Sequence, residues 1–179
     1  MIFFSIEEPF LKKAVLDSLV QVDENIISLN QNNSFCELKA LFEKQRLKII
    51  RDKTFLTLDG PFSLKELYDC LIHLVNDISI NITKIKYYPF KQVLESSERE
   101  NFSLKLNFIS NCILKQVLLH KSEMGISKKD LYFHIWPKDK SISMNKLDTH
   151  LTNTKNLIND TFDSNLDFKT IIGKISLIY

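Results

Sequence analysis

From Asn107 to Tyr179 the chain is punctuated in a way that leaves few architectures open. An apolar-periodic segment from about Asn107 to His120 carries Phe108, Ile109, Cys112, Ile113, Val117 and Leu118 at helical spacing, and Gly125 follows as a turn. Ser127 is placed to cap a short helix over Lys128–Trp136, which Pro137 stops. After the polar Pro137–Ser143 segment, Ser143 or Asn145 starts a third helix that runs to about Asn159. Phe168–Ile172 and Lys174–Tyr179 then read as a terminal hairpin around Gly173. The order is three helices and a closing hairpin, the second helix short and the third long.

The third helix has two chemically distinct sides. At about 100° per residue, Leu147, Leu151, Thr154 and Ile158 fall within roughly 60° of one another, so they form the inward stripe. Asn145, Thr149, Thr152, Asn153 and Asn156 lie opposite, with Lys146 beside them. Such a face is uncharged and rich in hydrogen-bonding groups. In a major groove, Asn pairs with adenine N6/N7 and Thr touches a thymine methyl. Arginine stands only at 46, 51 and 99, so bidentate Arg–guanine readout from this region is absent and an A·T-rich duplex is the expected partner. Codon bias toward A·T also supplies Asn and Lys without function. Lys146, Lys155, Lys169 and Lys174 are the candidate phosphate contacts, against the commoner fate of a lysine on a solvated face.

The first half alternates strands and helices. Ile2–Ile6 reads as a buried strand, and Phe10, Val15, Leu16 and Leu19 as a helix after Pro9. Asn25–Leu29 reads as a second strand. Ser34 is placed to cap a helix containing Leu38, Leu41 and Phe42. Leu47–Ile50 and Thr54–Leu58 are strand candidates, and Asp59-Gly60-Pro61 is a turn. Ser63 and Glu66 form a capping box for a helix through Val75. The alternation predicts an α/β module with a parallel sheet over residues 1–77. Residues 76–83 read as a linker. Ile82–Leu94 and Phe102–Leu106 alternate and read as antiparallel strands with a polar turn at Ser96–Asn101. The second domain is therefore set at 82–179.

Charge divides the same way. Residues 1–80 hold nine Lys+Arg against twelve Asp+Glu, and residues 81–179 hold fifteen against ten, which places a positive excess on the second half of a chain of net charge +2. That step suits a polyanionic partner for the second module. Three glycines and no glycine-rich phosphate motif argue against a nucleotide-dependent enzyme, and no catalytic constellation is spaced for use. Cys36, Cys70 and Cys112 are far apart and without metal spacing, so they read as reduced thiols of a cytoplasmic protein with no cofactor. No signal peptide and no membrane span are expected. His150 has no spaced partner for metal or catalytic work, and Trp136 reads as a core or turn anchor rather than a stacking platform.

The C-terminal motifs resemble the winged helix-turn-helix DNA-binding domain of OmpR/PhoB-type response regulators. SKKDLYFHIWP (Ser127–Pro137) is similar to the family's second helix, with Trp136 at its Trp. KLDTHLTNTKNLI (Lys146–Ile158) is similar to its recognition helix, with Asp148 and His150 on that motif's Asp and His. FKTIIGKISLIY (Phe168–Tyr179) is similar to its wing, with Lys169, Thr170 and Gly173 in register. The resemblance covers about 95 residues. It implies an α+β fold, double-stranded DNA as partner, and RNA polymerase as a possible contact of the Pro137–Ser143 loop. Asn153, Thr154 and Ile172 depart from the family's Arg, Leu and Arg, so two common cationic DNA contacts are gone.

IFFSIEEPFLKKAV resembles the start of a receiver domain, with Glu7 and Glu8 on its acidic metal-holding pair, and GPFSLKELYDCL (Gly60–Leu71) resembles its end, with Gly60 in place of the essential Lys. Asp52 follows the LKII run and is the one weak candidate phosphoacceptor. The stretch is some 40 residues shorter than a receiver, which implies a truncated pseudo-receiver that works without phosphorylation. The expected function is a DNA-binding transcription regulator whose first half serves homodimerisation or partner contact. The alternative is an interaction adaptor whose winged helix docks protein instead of DNA.

Overall fold

The structure is a computed structural model that describes residues 2–6, 17, 27–28, 34–43, 45–121 and 124–179. The expected helix at Phe10–Leu19, Asp17 apart, and the acidic pair Glu7 and Glu8 lie outside the described residues. The fold is mixed α/β, with three sheets and four helices among the described residues, in two compact units, Met1–Ile78 and Ser79–Tyr179.

In the first unit, β1 (Ile2–Ile6), β2 (Ile27–Ser28), β3 (Cys36–Glu43), β4 (Arg46–Arg51) and β5 (Thr54–Asp59) form one sheet in the order β2-β1-β3-β4-β5. β1 pairs in parallel with both β2 and β3. The other pairs are antiparallel, so the expected parallel sheet is found only across β2-β1-β3. Chain length decides this. Residues 44–45 and 52–53 are two-residue connections, and a parallel return needs a crossover of roughly a dozen residues.

The helix expected over Leu38, Leu41 and Phe42 is strand β3. Leu38 and Ala40 are buried while Lys39 between them is exposed, a period of two. The i, i+3, i+4 spacing also fitted a helix, but pairing with β1 and β4 on both sides satisfies this backbone as a central strand.

Helix α1 (Leu64–Val75) begins at a complete capping box, with Ser63 and Glu66 each bonding the other's backbone N–H. Its buried residues, Leu67, Cys70, Leu71, Leu74 and Val75, make one stripe. In the sheet, Ile2, Ile6, Leu38, Ala40, Leu47 and Ile49 are buried. Arg51, at the end of β4, holds Asp77 in a bidentate pair at 2.5 and 2.9 Å and also donates to the Leu74 carbonyl, which ties the sheet to the end of α1.

The second unit opens with an antiparallel sheet of β6 (Ile80–Ile82), β7 (Ile85–Tyr88), β8 (Val93–Ser96) and β9 (Ser103–Lys105). The expected linker thus already contains a strand, because Ile82 is buried and Ile80 pairs with Tyr87. Helix α2 (Phe108–Leu119), capped by Asn107, has every residue from Ser110 to Leu119 buried. Inside it, Asn111 accepts from the Tyr87 hydroxyl at 2.7 Å and donates to the Pro89 carbonyl, locking α2 to β7. Strand β10 (Ile126–Ser127), helix α3 (Lys128–Ile135) and helix α4 (Met144–Phe162) follow, then β11 (Asp167–Ile171) and β12 (Lys174–Ile178). The last sheet runs β10-β12-β11. Gly125 is required where β10 begins: its φ is +104°, and a Cβ there would lie 2.2 Å from the Ile175 carbonyl oxygen.

Candidate nucleic-acid interface

Helix α4 is held by its inward stripe. Leu147, Leu151, Thr154 and Ile158 are its buried residues, and the Thr154 hydroxyl meets that of Ser110 on α2 at 3.0 Å. A hydroxyl in this stripe is tolerated because it has that partner; an unpaired one costs about 1–3 kcal/mol. With the stripe fixed, helical periodicity turns the other side outward. Asn145, Thr149, Thr152, Asn153 and Asn156 are all exposed. Asn145, Asp148, Thr149, Thr152 and Asn153 line one open depression. The Thr149 hydroxyl donates to the Asn145 carbonyl at 2.8 Å, which leaves its oxygen able to accept. Asp148 borders this face, and Lys128 neutralises it at 2.6 Å. Asp160 is a second carboxylate, exposed on the same side.

The turn between α3 and α4 is built on Trp136. Its ring lies 4.7 Å from Tyr132 and 5.4 Å from His150, so the half-buried His150 packs against it. Asp139 accepts from the Tyr132 hydroxyl at 2.6 Å and from Lys146 at 3.0 Å, and the Lys146 ammonium stands 4.0 Å from the Trp136 centroid. Both hydrogen bonds, the Tyr132 one foremost, hold the Asp139 carboxyl below its ordinary range, and the same contact raises the Tyr132 phenol.

The four expected phosphate-contact lysines therefore differ in state. Lys146 is committed to Asp139 and Trp136. Lys155 pairs with Asp167 at 3.6 Å, pinning α4 to β11. Lys174 is half-buried in a pocket with His120, Ser127, Asp130 and His134. Lys169 alone of the four is exposed and unpaired among the described residues. Residue identity and register suggested these four, but ion pairing with residues 7 and 12 positions away was invisible in them. Three further cations, Lys129 on α3 and Lys138 and Lys140 in the turn leading into α4, are exposed and form no ion pair among the described residues. The lysine density of PKDKSIS was the signal for the last two.

In the first unit, Asp52 occupies the β4–β5 turn at φ 51° with its side chain 89% exposed, 3.8 Å from Arg51 Nε. It serves the turn, where an Asp tolerates the left-handed conformation. A Cβ on Gly60 would lie 2.8 Å from the Gln45 carbonyl oxygen, so any side chain is excluded there by close backbone approach. Cys36 is half-buried, and that burial pushes its thiol up to about 11, which makes it a poor nucleophile. Among the described residues no group of three or more His, Cys, Asp or Glu is disposed to hold a metal ion. No described helix is long and apolar enough to cross a membrane. No family model and no curated protein matches the chain.

Proposed function

We propose that residues 79–179 are a winged helix-turn-helix module that binds double-stranded DNA, with α4 in the major groove, and that the chain is a transcription regulator. The observation that carries this reading is the exposure of five amide or hydroxyl side chains, Asn145, Thr149, Thr152, Asn153 and Asn156, on one side of a 19-residue helix whose other side is clamped to its own unit. Such a helix fits a groove about 12 Å wide, and these side chains favour A·T pairs. Lys129, Lys138, Lys140 and Lys169 supply the phosphate contacts. With about four such contacts the slope of log K against log salt is roughly −3 to −4. The first unit acts without phosphoryl transfer, since Asp52 is a turn residue in open solvent, and serves contact with a second copy or a partner.

Selection of duplex fragments by the purified chain at two salt concentrations tests this. A·T-rich enrichment with a shallow negative salt slope is expected. Enrichment of G·C-rich sites, or no enrichment at low salt, refutes it. A second reading, a protein-docking adaptor, draws on Ile171 and Ile172, exposed by 44% and 87% at the hairpin tip. It gains ground if duplex binding is absent.

A further inference from the structure

The hairpin β11–β12 closes with a two-residue loop, Ile172-Gly173, since Ile171 pairs with Lys174. Both loop residues have positive φ, 50° and 75°, the signs of a type I′ turn. That turn is made for Asn-Gly or Asp-Gly. An isoleucine there is a genuine outlier, because its branched Cβ crowds the backbone in the left-handed region. Thr83, the other β-branched residue at positive φ in the described chain, has a hydroxyl bonded to the Ile82 carbonyl. Ile172 has no polar group and gives nothing to the core, being 87% exposed. The fold therefore bears strain for an apolar side chain that stands in water. Strain of this kind points to a function outside the fold.

We infer that Ile172 is an apolar wedge that enters the minor groove of the bound duplex and unstacks a base step, bending the DNA. The inference rests on the duplex-binding reading above and names what the hairpin does within it. Three observations favour a duplex over a protein partner. The hairpin base is pinned to α4 through Lys155 and Asp167. From Asp167 the strand carries its tip about 17 Å, at 3.3–3.4 Å per residue, beyond the roughly 12 Å width of a major groove. Lys169 stands between, on the face of the hairpin opposite buried Ile175 and Leu177, where a phosphate ridge would pass. With Lys146 and Lys155 held by carboxylates, burial of an apolar tip also supplies affinity that the missing cations do not.

The test is Ile172→Asn in the full chain, with Ile172→Val as the conservative control. The probe is an end-labelled A·T-rich duplex of about 25 base pairs containing flexible TA steps, with bending read by energy transfer between its ends. Ile172→Asn suits the turn, so its Tm should rise, on the order of 5 °C. Its duplex affinity should fall about tenfold and the bend should vanish, while Ile172→Val keeps both. Opposite signs for stability and binding cannot come from misfolding. Unchanged affinity and bend in Ile172→Asn, with binding still lost in Thr149→Ala/Asn153→Ala, overturns the wedge and leaves the duplex reading standing. A loss of affinity without loss of bend also overturns it. Absence of duplex binding by the unaltered chain removes both.

Discussion

Lys146 donates to the Asp139 carboxylate at 3.0 Å, across the turn that joins α3 to α4. The pair spends on the turn a cation that the helix register offers to a phosphate. Lys146 lies beside the exposed Asn and Thr side chains, yet its ammonium is folded back over Trp136 at 4.0 Å. Substituting Asp139→Asn removes the counter-charge and releases the lysine. We expect the salt dependence of duplex binding to steepen by nearly one unit of slope. Titration of affinity against salt for both proteins checks this; an unchanged slope shows that Lys146 never reaches the backbone.

Acid should act on the same cluster. Hydrogen bonds from Tyr132 and Lys146 depress the Asp139 carboxyl, so the cluster's contribution to stability is complete above the ordinary aspartate range. It is lost as pH falls through the depressed value. Trp136 is the chain's one tryptophan, and because His150 also lies 5.4 Å from its ring the titration is read as the difference in emission between the chain and Asp139→Asn. A transition below the ordinary aspartate range is expected, absent in Asp139→Asn. A transition at or above that range contradicts the geometry.

The Ser110–Thr154 hydroxyl contact sets α4 against α2. Thr154→Ala leaves a buried hydroxyl on Ser110 without its partner and should cost about 1–3 kcal/mol in urea unfolding. The double variant with Ser110→Ala should cost less than the two single changes summed, a coupling that a double-mutant cycle measures. Strict additivity shows the two hydroxyls to be independent.

Gly60 is closed to side chains by the Gln45 carbonyl. Gly60→Ala should destabilise the first unit by about 1–3 kcal/mol through overpacking, with no effect on duplex binding by the second. Chemical denaturation resolves the two transitions if the units unfold separately.

Much of the second unit was legible in its residues. Ser127 announces a helix start there, as Ser63 does in the first unit, because a cap is a local interaction between neighbours in sequence. The four buried residues of α4 follow from period alone. The first unit was less legible. Leu38, Leu41 and Phe42 have helical spacing, and only pairing with Ile2–Ile6 and Leu47–Ile50 makes this segment a strand. Sheet direction depended on the length of two turns. For the candidate interface, exposure of Asn145, Thr149 and Asn153 was readable, whereas the commitment of Lys146 to Asp139 and of Lys155 to Asp167 was not. Ion pairs form between side chains that the fold brings together, and many spacings permit them. The positive φ of Ile172 was equally hidden, since Ile-Gly carries no ordinary turn signature.

Helix α2 has no wet side from Ser110 to Leu119. Its peptide hydrogens can therefore meet solvent only when the surrounding elements let go together. Placed in heavy water, those ten residues would be the last of the second unit to take up deuterium, and the rate at which they do so reads its global unfolding free energy directly.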